Sequence, residues 1–592
     1  MVSPRTRSSY DKQPTVIVPG AHEVWRGAAA WRHVAGQAEA SETGAPVIVV
    51  DTYPGVDLPE LLASIRTALP GFDVVDVEVA AAKSIKEIDE ILKWNLTDDR
   101  VFGVMSHVVL AELYDYCSLE TLADAARSGA RPTVLVGWGA ALVPLAGTTI
   151  VLADMARWEI QLRQRKGAPN WRCTNADEDN LRKVKRGFFV EWRLADRHKR
   201  ALFGTMHFVL DTNASTAEGK LITAEASRAG MQAVVGAPFR VVPFFDPGVW
   251  GGQWMKDVLD LPDAKNYAWC FDCVPEENSV LLRFGDDIIE LPSIDIVFMH
   301  PRELLGERTF ARFGAEFPIR FDFLDTMKGG NLSLQVHPLT DYSQNTFGMQ
   351  YTQDESYYLL EATDDAVVYL GLKTGTDPNA MITSLQAAML PGVDFPVEEF
   401  VNAFPAKKHD HFLIPAGTVH CSGADTMVLE ISATPYLFTF KMWDWGRNGL
   451  DGVPRPIHLE HARQNIQWDR NTEWTRDNLV SRVETVAEGD GWIEERTGLH
   501  ELEFIEVRRH WFTGSVGHDT RGTVNVLNFV EGVEAIVDSP SGAFSPFVVH
   551  YAETFIVPAK LGAYRISPHG DAVGTRLGTV KASVRGTERE QP

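Results

Sequence analysis

Near Gly236 the hydrophobic pattern of this 592-residue chain changes period, and that break constrains the fold more than any other feature. Before it, short apolar runs alternate with stretches of helical spacing. Val47-Ile-Val-Val-Asp51, Phe72 to Val79, Val101-Phe-Gly-Val-Met105 and Thr133 to Gly137 read as strands, and Leu58 to Leu69 reads as a helix. Strands alternating with helices predict an α/β layer on a mainly parallel sheet. A charged, helical stretch from Ala153 to Lys199 follows, then a strand-like run from Phe208 to Asn213. After Gly236, strand alternation dominates to the C-terminus, apart from a helical patch near Asn379 to Phe404. Many short strands with Gly, Pro and Asp turns predict a sandwich or barrel of jelly-roll type. Phe412-Leu-Ile-Pro-Ala-Gly417 is echoed by Phe555-Ile-Val-Pro-Ala-Lys560, which predicts two copies of one β module and not a short-period solenoid. The chain is thus read as multidomain: a polar, loosely packed leader over 1–44, an α/β domain over 45–235, a β module with a small helical insertion (379–404) over 236–490, and a second β module over 491–592.

Charge and cysteine usage exclude several classes. Lys plus Arg is 56 against 80 for Asp plus Glu, a net charge of −24, which disfavours nucleic acid and anionic membranes as partners. Five scattered cysteines make no disulfide framework. Met1 to Val18 has no apolar core of the kind a secretory signal carries. Val134 to Ala153 is uncharged and long enough to span a bilayer. Gly137, Gly139, Pro144 and Gly147 punctuate it, so two short buried strands and a loop fit better. The expectation is a soluble, cytoplasmic protein.

The chemistry concentrates between Asn331 and Glu430. In Asn331-Leu-Ser-Leu-Gln-Val-His337 read as a strand, Leu332, Leu334 and Val336 share one face while Ser333, Gln335 and His337 share the other. Glu355 opens a further strand, and His420 ends Ile414-Pro-Ala-Gly-Thr-Val-His420 after a Pro-Gly turn. Two imidazoles, one carboxylate and one neutral oxygen donor suit Zn²⁺ or another divalent first-row metal. Any one of these residues alone reads as an ordinary barrel-surface side chain; their strand contexts together favour a metal site.

Leu334-Gln-Val-His-Pro338, Glu355-Ser-Tyr-Tyr-Leu-Leu360, Val368-Tyr-Leu-Gly-Leu-Lys373, Ile414 to His420 and Val428-Leu-Glu-Ile431 resemble, in order, the motifs of type I phosphomannose isomerases. Val249-Trp-Gly-Gly252 and Trp443-Asp-Trp-Gly-Arg447 resemble that family's landmarks, and the resemblance runs from about Pro238 to the C-terminus. It implies two cupin folds, one Zn²⁺ per chain held by Gln335, His337, Glu355 and His420, and a sugar-phosphate substrate. The implied reaction is aldose–ketose isomerisation through an enediolate, mannose 6-phosphate to fructose 6-phosphate in the family. A cation at the sugar oxygens stabilises the enediolate charge, and a base must stand within hydrogen-bond reach. Glu430 points away from the apolar face of its strand and matches the family's glutamate near the metal. Lys441 falls where many relatives carry an active-site arginine and would support the enediolate or grip phosphate. A surface salt bridge is the plain alternative for both residues.

Three positions depart from the family pattern: Gln353 replaces a lysine two residues before the metal-binding glutamate, Ser432 a glutamine, and Leu339-Thr340 an acidic pair. They touch the substrate shell and leave the exact sugar open; a non-catalytic sugar-phosphate-binding regulator is the alternative reading. In the second module Ala563 stands where His420 stands in the first, with Tyr564 beside it, so this copy is expected to be metal-free and mainly structural. Cys270 and Cys273 read as incidental thiols. Lys407 to His411 reads as a solvated loop in which Lys407 or Lys408 would face phosphate.

In the N-terminal part, Ala153 to Arg165 and Lys185 to Lys199 resemble the post-P-loop and lid segments of uridine-kinase-like proteins. No Gly-x-x-x-x-Gly-Lys occurs, so the resemblance implies a degenerate, catalytically silent kinase-like (P-loop-like) layer. Arg182, Lys183, Lys185 and Arg186 would bind an anion or form a solvated helix face. A bifunctional kinase-isomerase is disfavoured by the missing lysine. Homo-oligomerisation is compatible with this reading.

Overall fold

The computed structural model describes residues 7–38, 45–390, 392–433, 438–498 and 501–586. They form two compact units, and neither is one continuous stretch: residues 15–234 with 275–299, and residues 1–14 with 235–274 and 300–592.

The first unit is built on a seven-stranded sheet. Its order is Trp25–Arg26, Lys220–Thr223, Phe208–Asp211, Thr149–Asp154, Val47–Thr52, Thr133–Gly137 and Asp73–Asp76. The Phe208 through Asp73 strands pair parallel, and the Lys220 and Trp25 strands are antiparallel additions. All six residues of Val47–Thr52 are buried, as a parallel strand covered on both faces requires. Ile48, Val50, Val134 and Val151 pack against Trp31, Val34, Leu61 and Ile65 from the flanking helices. Helix Leu58–Ala68 begins where the Asp57 side chain accepts from Glu60 N at 3.0 Å. The uncharged run from Val134 resolves into the Thr133 and Thr149 strands with a short helical turn, Ala140–Leu142, between them. Among the described residues no helix is long and apolar enough to cross a membrane.

Several expectations are corrected here. The leader is not loose where it is described: helix Gly27–Gln37 buries Ala30, Trp31 and Val34 in the first unit's core. Tyr10 is buried in the second unit with its hydroxyl on Asp272. The ends of that leader, 1–6 and 39–44, lie outside the described residues. Val101 to Met105 is not a strand. Its backbone is claimed by a helix end instead: Val104 N donates to Asn95 O at 2.7 Å, and the Asn95 amide donates to Val104 O at 3.0 Å. The basic cluster is not a solvated face. Lys183, Lys185 and Arg186 are buried: Lys183 Nζ donates to the carbonyls of Gln164, Ala168 and Ala176, Lys185 Nζ to those of Thr97 and Asp99, and Arg186 pairs with buried Glu191 at 2.9 Å. Beyond Gly236, helices are more numerous than expected, Glu307–Phe313, Thr340–Phe347 and Thr472–Leu479 among them.

The second unit holds two antiparallel two-sheet modules. In the first module, a six-stranded sheet runs in the order His411–Ile414, Glu355–Ala362, Thr426–Ala433, Ile319–Asp325, Trp269–Cys273, Phe244–Asp246. A five-stranded sheet runs Val401–Pro405, Val367–Leu372, His420–Ser422, Leu334–Val336, Phe440–Trp443. In the second module, a six-stranded sheet (Glu484–Gly489, Trp492–Gly498, Ile505–Phe512, Leu577–Val584, Asn525–Glu531, Thr554–Val557) accompanies a four-stranded one (Val516–Asp519, Ala563–Pro568, Glu534–Asp538, Phe547–His550). The expected Lys407 to His411 loop is largely a seam between these modules. His411 is fully buried with Nδ1 3.0 Å from Thr497 Oγ1, and Lys408 and His409 both reach Glu531. Lys408 is therefore engaged by a carboxylate and not presented to phosphate.

Candidate metal centre

Three side chains from both sheets of the first β module meet in its interior. One ligand atom each from His337, Glu355 and His420 lies within 4.8 Å of the others, and all three residues are buried. Glu355 comes from the six-stranded sheet and His420 from the five-stranded one, while His337 directly follows the Leu334–Val336 strand.

The sequence landmarks explain how the site is held. Trp445 Nε1 donates to Leu332 O at 2.6 Å, Arg447 to Asn331 O at 2.7 Å, and Ser333 Oγ to Asp444 at 2.9 Å, so the Trp443-to-Arg447 segment pins the strand bearing Gln335 and His337. Gly417 has φ of +85°, and a Cβ there would stand 2.8 Å from Asn465 O. That left-handed turn brings Gly417 N to His337 O at 3.0 Å, tying the two histidine-bearing segments together. Arg470 braces the same turn through the carbonyls of Pro415 and Ala416.

The hydrogen bonds define what the corner needs. His337 Nδ1 faces Phe438 O at 2.9 Å and His420 Nδ1 faces Thr418 O at 2.8 Å, so each imidazole donates from Nδ1. Their Nε2 lone pairs then point at Glu355: His337 Nε2 is 3.1 Å from Oε2 and His420 Nε2 is 2.8 Å from Oε1. Two lone pairs facing a carboxylate in a buried site repel unless a cation or extra protons lie between them. The donor set fits a divalent metal. Burial alone would lower the basicity of His337, but the Glu355 charge overrides it and raises it. Burial would raise Glu355, and the two histidines instead hold it well below the usual carboxylate range.

Gln335 pairs in register with His420 on one side and Lys441 on the other. Its amide nitrogen lies 3.2 Å from His420 Nε2, and turning the amide over offers the oxygen to the same corner. Lys441 is half-buried on the face Gln335 shares. Glu430 stands in register with Tyr357 and Asp322 on the six-stranded sheet. It accepts from Arg320, and from Ser432 Oγ at 2.9 Å. Burial pushes its carboxyl up to about 7; Arg320 opposes that rise and the Glu355 charge adds to it.

Three side chains, Arg320, Asp322 and Tyr357, escaped the reading of the sequence as site residues. Arg320 and Asp322 form a buried ion pair at 2.7 Å, so that Arg320 bridges Asp322 and Glu430. Gln353 Nε2 donates to Glu355 Oε2 at 3.2 Å, and Tyr357 stands with its ring 5.9 Å from that of His420. The signal for Arg320 and Asp322 was present: two charges spaced by two inside Ile319–Asp325, a strand whose seven residues are all buried.

Residues 30–236 match a family described as a domain of unknown function (DUF8485). The mannose-6-phosphate isomerase ManA of Bacillus subtilis is 24% identical over 348 residues, 57% of this chain and 99% of that protein. The mannose-6-phosphate isomerase of Streptococcus mutans is 24% identical over 217 residues, 36% of this chain and 63% of that protein. Among solved structures, the mannose 6-phosphate isomerase of Bacillus subtilis aligns with 58% of this chain and 99% of its own at 17% identity and a TM-score of 0.48. Over about 58% of its length, the C-terminal part of the chain distantly resembles the type I mannose-6-phosphate isomerases, and the segment before it, residues 30–236, matches the DUF8485 model.

Proposed function

We propose that the first β module, a cupin in this reading, is a metal-dependent aldose–ketose isomerase acting on a sugar phosphate, mannose 6-phosphate to fructose 6-phosphate. The observation that carries the proposal is the pair of Nδ1-anchored imidazoles whose Nε2 lone pairs face one buried carboxylate. His337, Glu355, His420 and the Gln335 amide oxygen would hold one Zn²⁺ per chain. A bound divalent ion supplies Lewis acidity toward the negative charge that develops on the sugar oxygens.

The remaining work falls to the chain's own groups. Moving the carbonyl from C1 to C2 requires a proton to leave one carbon and return to its neighbour. Glu430, with a carboxyl displaced toward neutrality, is suited to carry that proton both ways. Arg320 and Ser432 orient the carboxylate that does so. Lys441, beside Gln335, supports the enediolate or receives the phosphate.

A second reading, a sugar-phosphate-binding regulator without turnover, draws on Gln353: a neutral amide hydrogen-bonded to Glu355 occupies the place where the resembled family has a lysine. In both readings the N-terminal kinase-like layer is silent. The carboxylates at the ends of its parallel strands are already engaged, Asp51 by His198 at 2.9 Å and Asp154 by Lys199 at 3.1 Å. Metal analysis of the full chain beside its His337→Ala and His420→Ala variants tests the site. About one divalent ion per chain is expected, lost in both variants; full occupancy in both would refute the assignment. A panel of aldose and ketose phosphates then separates isomerase from binder.

A further inference from the structure

The interior of the second β module gathers polar groups that lack the partners burial demands. Strands Ile505–Phe512 and Leu577–Val584 pair with His510 opposite Thr579 and Arg508 opposite Lys581. On the neighbouring strand, Glu494 stands opposite His510. Alternation puts these side chains on one face of the six-stranded sheet. His518 and Tyr564, paired on the four-stranded sheet, reach the same interior. The ring centroids of His510 and His518 are 4.4 Å apart, and His518 stacks on Tyr564 at 5.0 Å.

Part of the set is satisfied. Tyr564 Oη donates to Asn525 Oδ1 at 3.0 Å, and Glu494 is taken by Arg508 at 3.1 Å and His510 Nε2 at 3.2 Å. The rest is not. Both ring nitrogens of His518, Nδ1 of His510 and Oγ1 of Thr579 are buried without a hydrogen-bond partner among the described residues. Residue exposures of 8%, 2% and 0% for His518, His510 and Thr579 leave little solvent to compensate. Lys581, two residues along the strand from Thr579, is half-buried and lies within reach of the Glu494 charge.

The inventory is rich in donors. Burial holds the His510 imidazole down to about 4 and that of His518 well below its usual value, so each is neutral at pH 7 with one N–H. Burial also lowers Lys581, to about 8, which leaves it an ammonium at neutral pH. The single N–H of His510 is the one given to Glu494, so the free donors are the Lys581 ammonium, the His518 N–H and the Thr579 hydroxyl, while the nearest carboxylate, Glu494, is already engaged. What would satisfy such a cluster is an acceptor with several oxygens.

We propose that the second β module is a binding site for a small oxyanion, a phosphate free or carried on a sugar, held by Lys581, His518 and Thr579. The site is separate from the metal corner and stands whether or not that corner is catalytic. Its chemistry also gives the second module a role beyond support of the first.

Inorganic phosphate and mannose 6-phosphate, titrated separately into the full chain and followed by calorimetry, test the proposal. Saturable binding is expected in the wild-type chain and in His420→Ala. Lys581→Met and His518→Phe, the latter keeping a ring on Tyr564, should each weaken it by about tenfold or more, the worth of one hydrogen bond to a charged group. Thr579→Val is the milder variant should either of these fail to fold, and at equal concentration the ligand should raise the melting temperature of the wild-type chain more than that of the variants. Binding of the sugar phosphate alone would identify the sugar-borne source; binding of both would identify the phosphate group itself. Absence of saturable binding of either probe, binding unchanged in these variants, or binding abolished by His420→Ala would overturn the proposal.

Discussion

Arg320 joins two buried carboxylates beside the metal corner. Its guanidinium bridges Asp322 and Glu430, and all three are buried. Removing a buried cation from such a set leaves uncompensated charge and costs about 3–5 kcal/mol. Arg320→Met should therefore destabilise the chain by that order in urea denaturation. The triple variant that also carries Asp322→Asn and Glu430→Gln should recover part of the loss. Glu430→Gln alone should keep the metal and lower turnover by about 10²–10⁴-fold. Normal kcat and KM in that variant would move proton transfer to another group. Lys441→Met separates its two roles: a fall in kcat marks support of the enediolate, a rise in KM alone marks phosphate binding. The gathering of His337, Glu355 and His420 in one buried corner was legible because each lies in or beside a strand where a period of two helps assign its face. Arg320 showed only its two-residue spacing from Asp322; its service to this site was hidden because its partner Glu430 is 110 residues away and only the strand register joins them.

Single elements show why chemistry was easier to read than burial. The basic segment Asn180–Arg186 looks solvated on a helical wheel, yet the acceptors of Lys183 are backbone carbonyls of Gln164, Ala168 and Ala176, which leave no mark in side-chain pattern. Lys183→Met should cost on the order of 3 kcal/mol, since it strips a charge-assisted donor from buried carbonyls; an unchanged denaturation midpoint would show that those carbonyls find other donors. Val101 to Met105 was misread for a related reason: its apolar run fits a strand, but Asn95 claims its backbone. The Trp-Gly-Gly landmark ending at Gly252 is better explained by packing than by sequence, because a Cβ at Gly252 would stand 2.1 Å from Asp325 Oδ1.

At the scale of the whole molecule, the pattern break near Gly236 marks the change from α/β to β architecture but not where either unit ends. Ser279–Phe284 pairs in parallel with Thr15–Ile17 inside the first unit. Residues 8–11 serve the second, where Arg240 binds Asp11 O at 2.8 Å and Glu553 at 2.7 Å. A chain beginning at Gly236 would lose that segment and keep residues 275–299 without their sheet, so it should be far less stable than the intact protein in limited proteolysis. Stability should also fall with acid. Buried His411 is held down to about 3 and His510 to about 4, by burial first in both cases. Each folded-state value lies below the unfolded value near 6.5. The stabilising contribution is therefore complete above about pH 6.5 and is lost progressively as pH falls toward 3–4, by on the order of a few kcal/mol. A melting temperature that stays flat between pH 7 and pH 4 would contradict the burial of these imidazoles.

The central claim is that the His337, Glu355 and His420 corner converts a sugar phosphate when it holds a metal. Phosphorus NMR of mannose 6-phosphate incubated with the zinc-loaded full chain tests it directly. The account predicts that the fructose 6-phosphate signal grows to its equilibrium share, and that neither the chelator-treated protein nor His337→Ala produces it. Unchanged mannose 6-phosphate in the presence of protein carrying about one zinc per chain would contradict it.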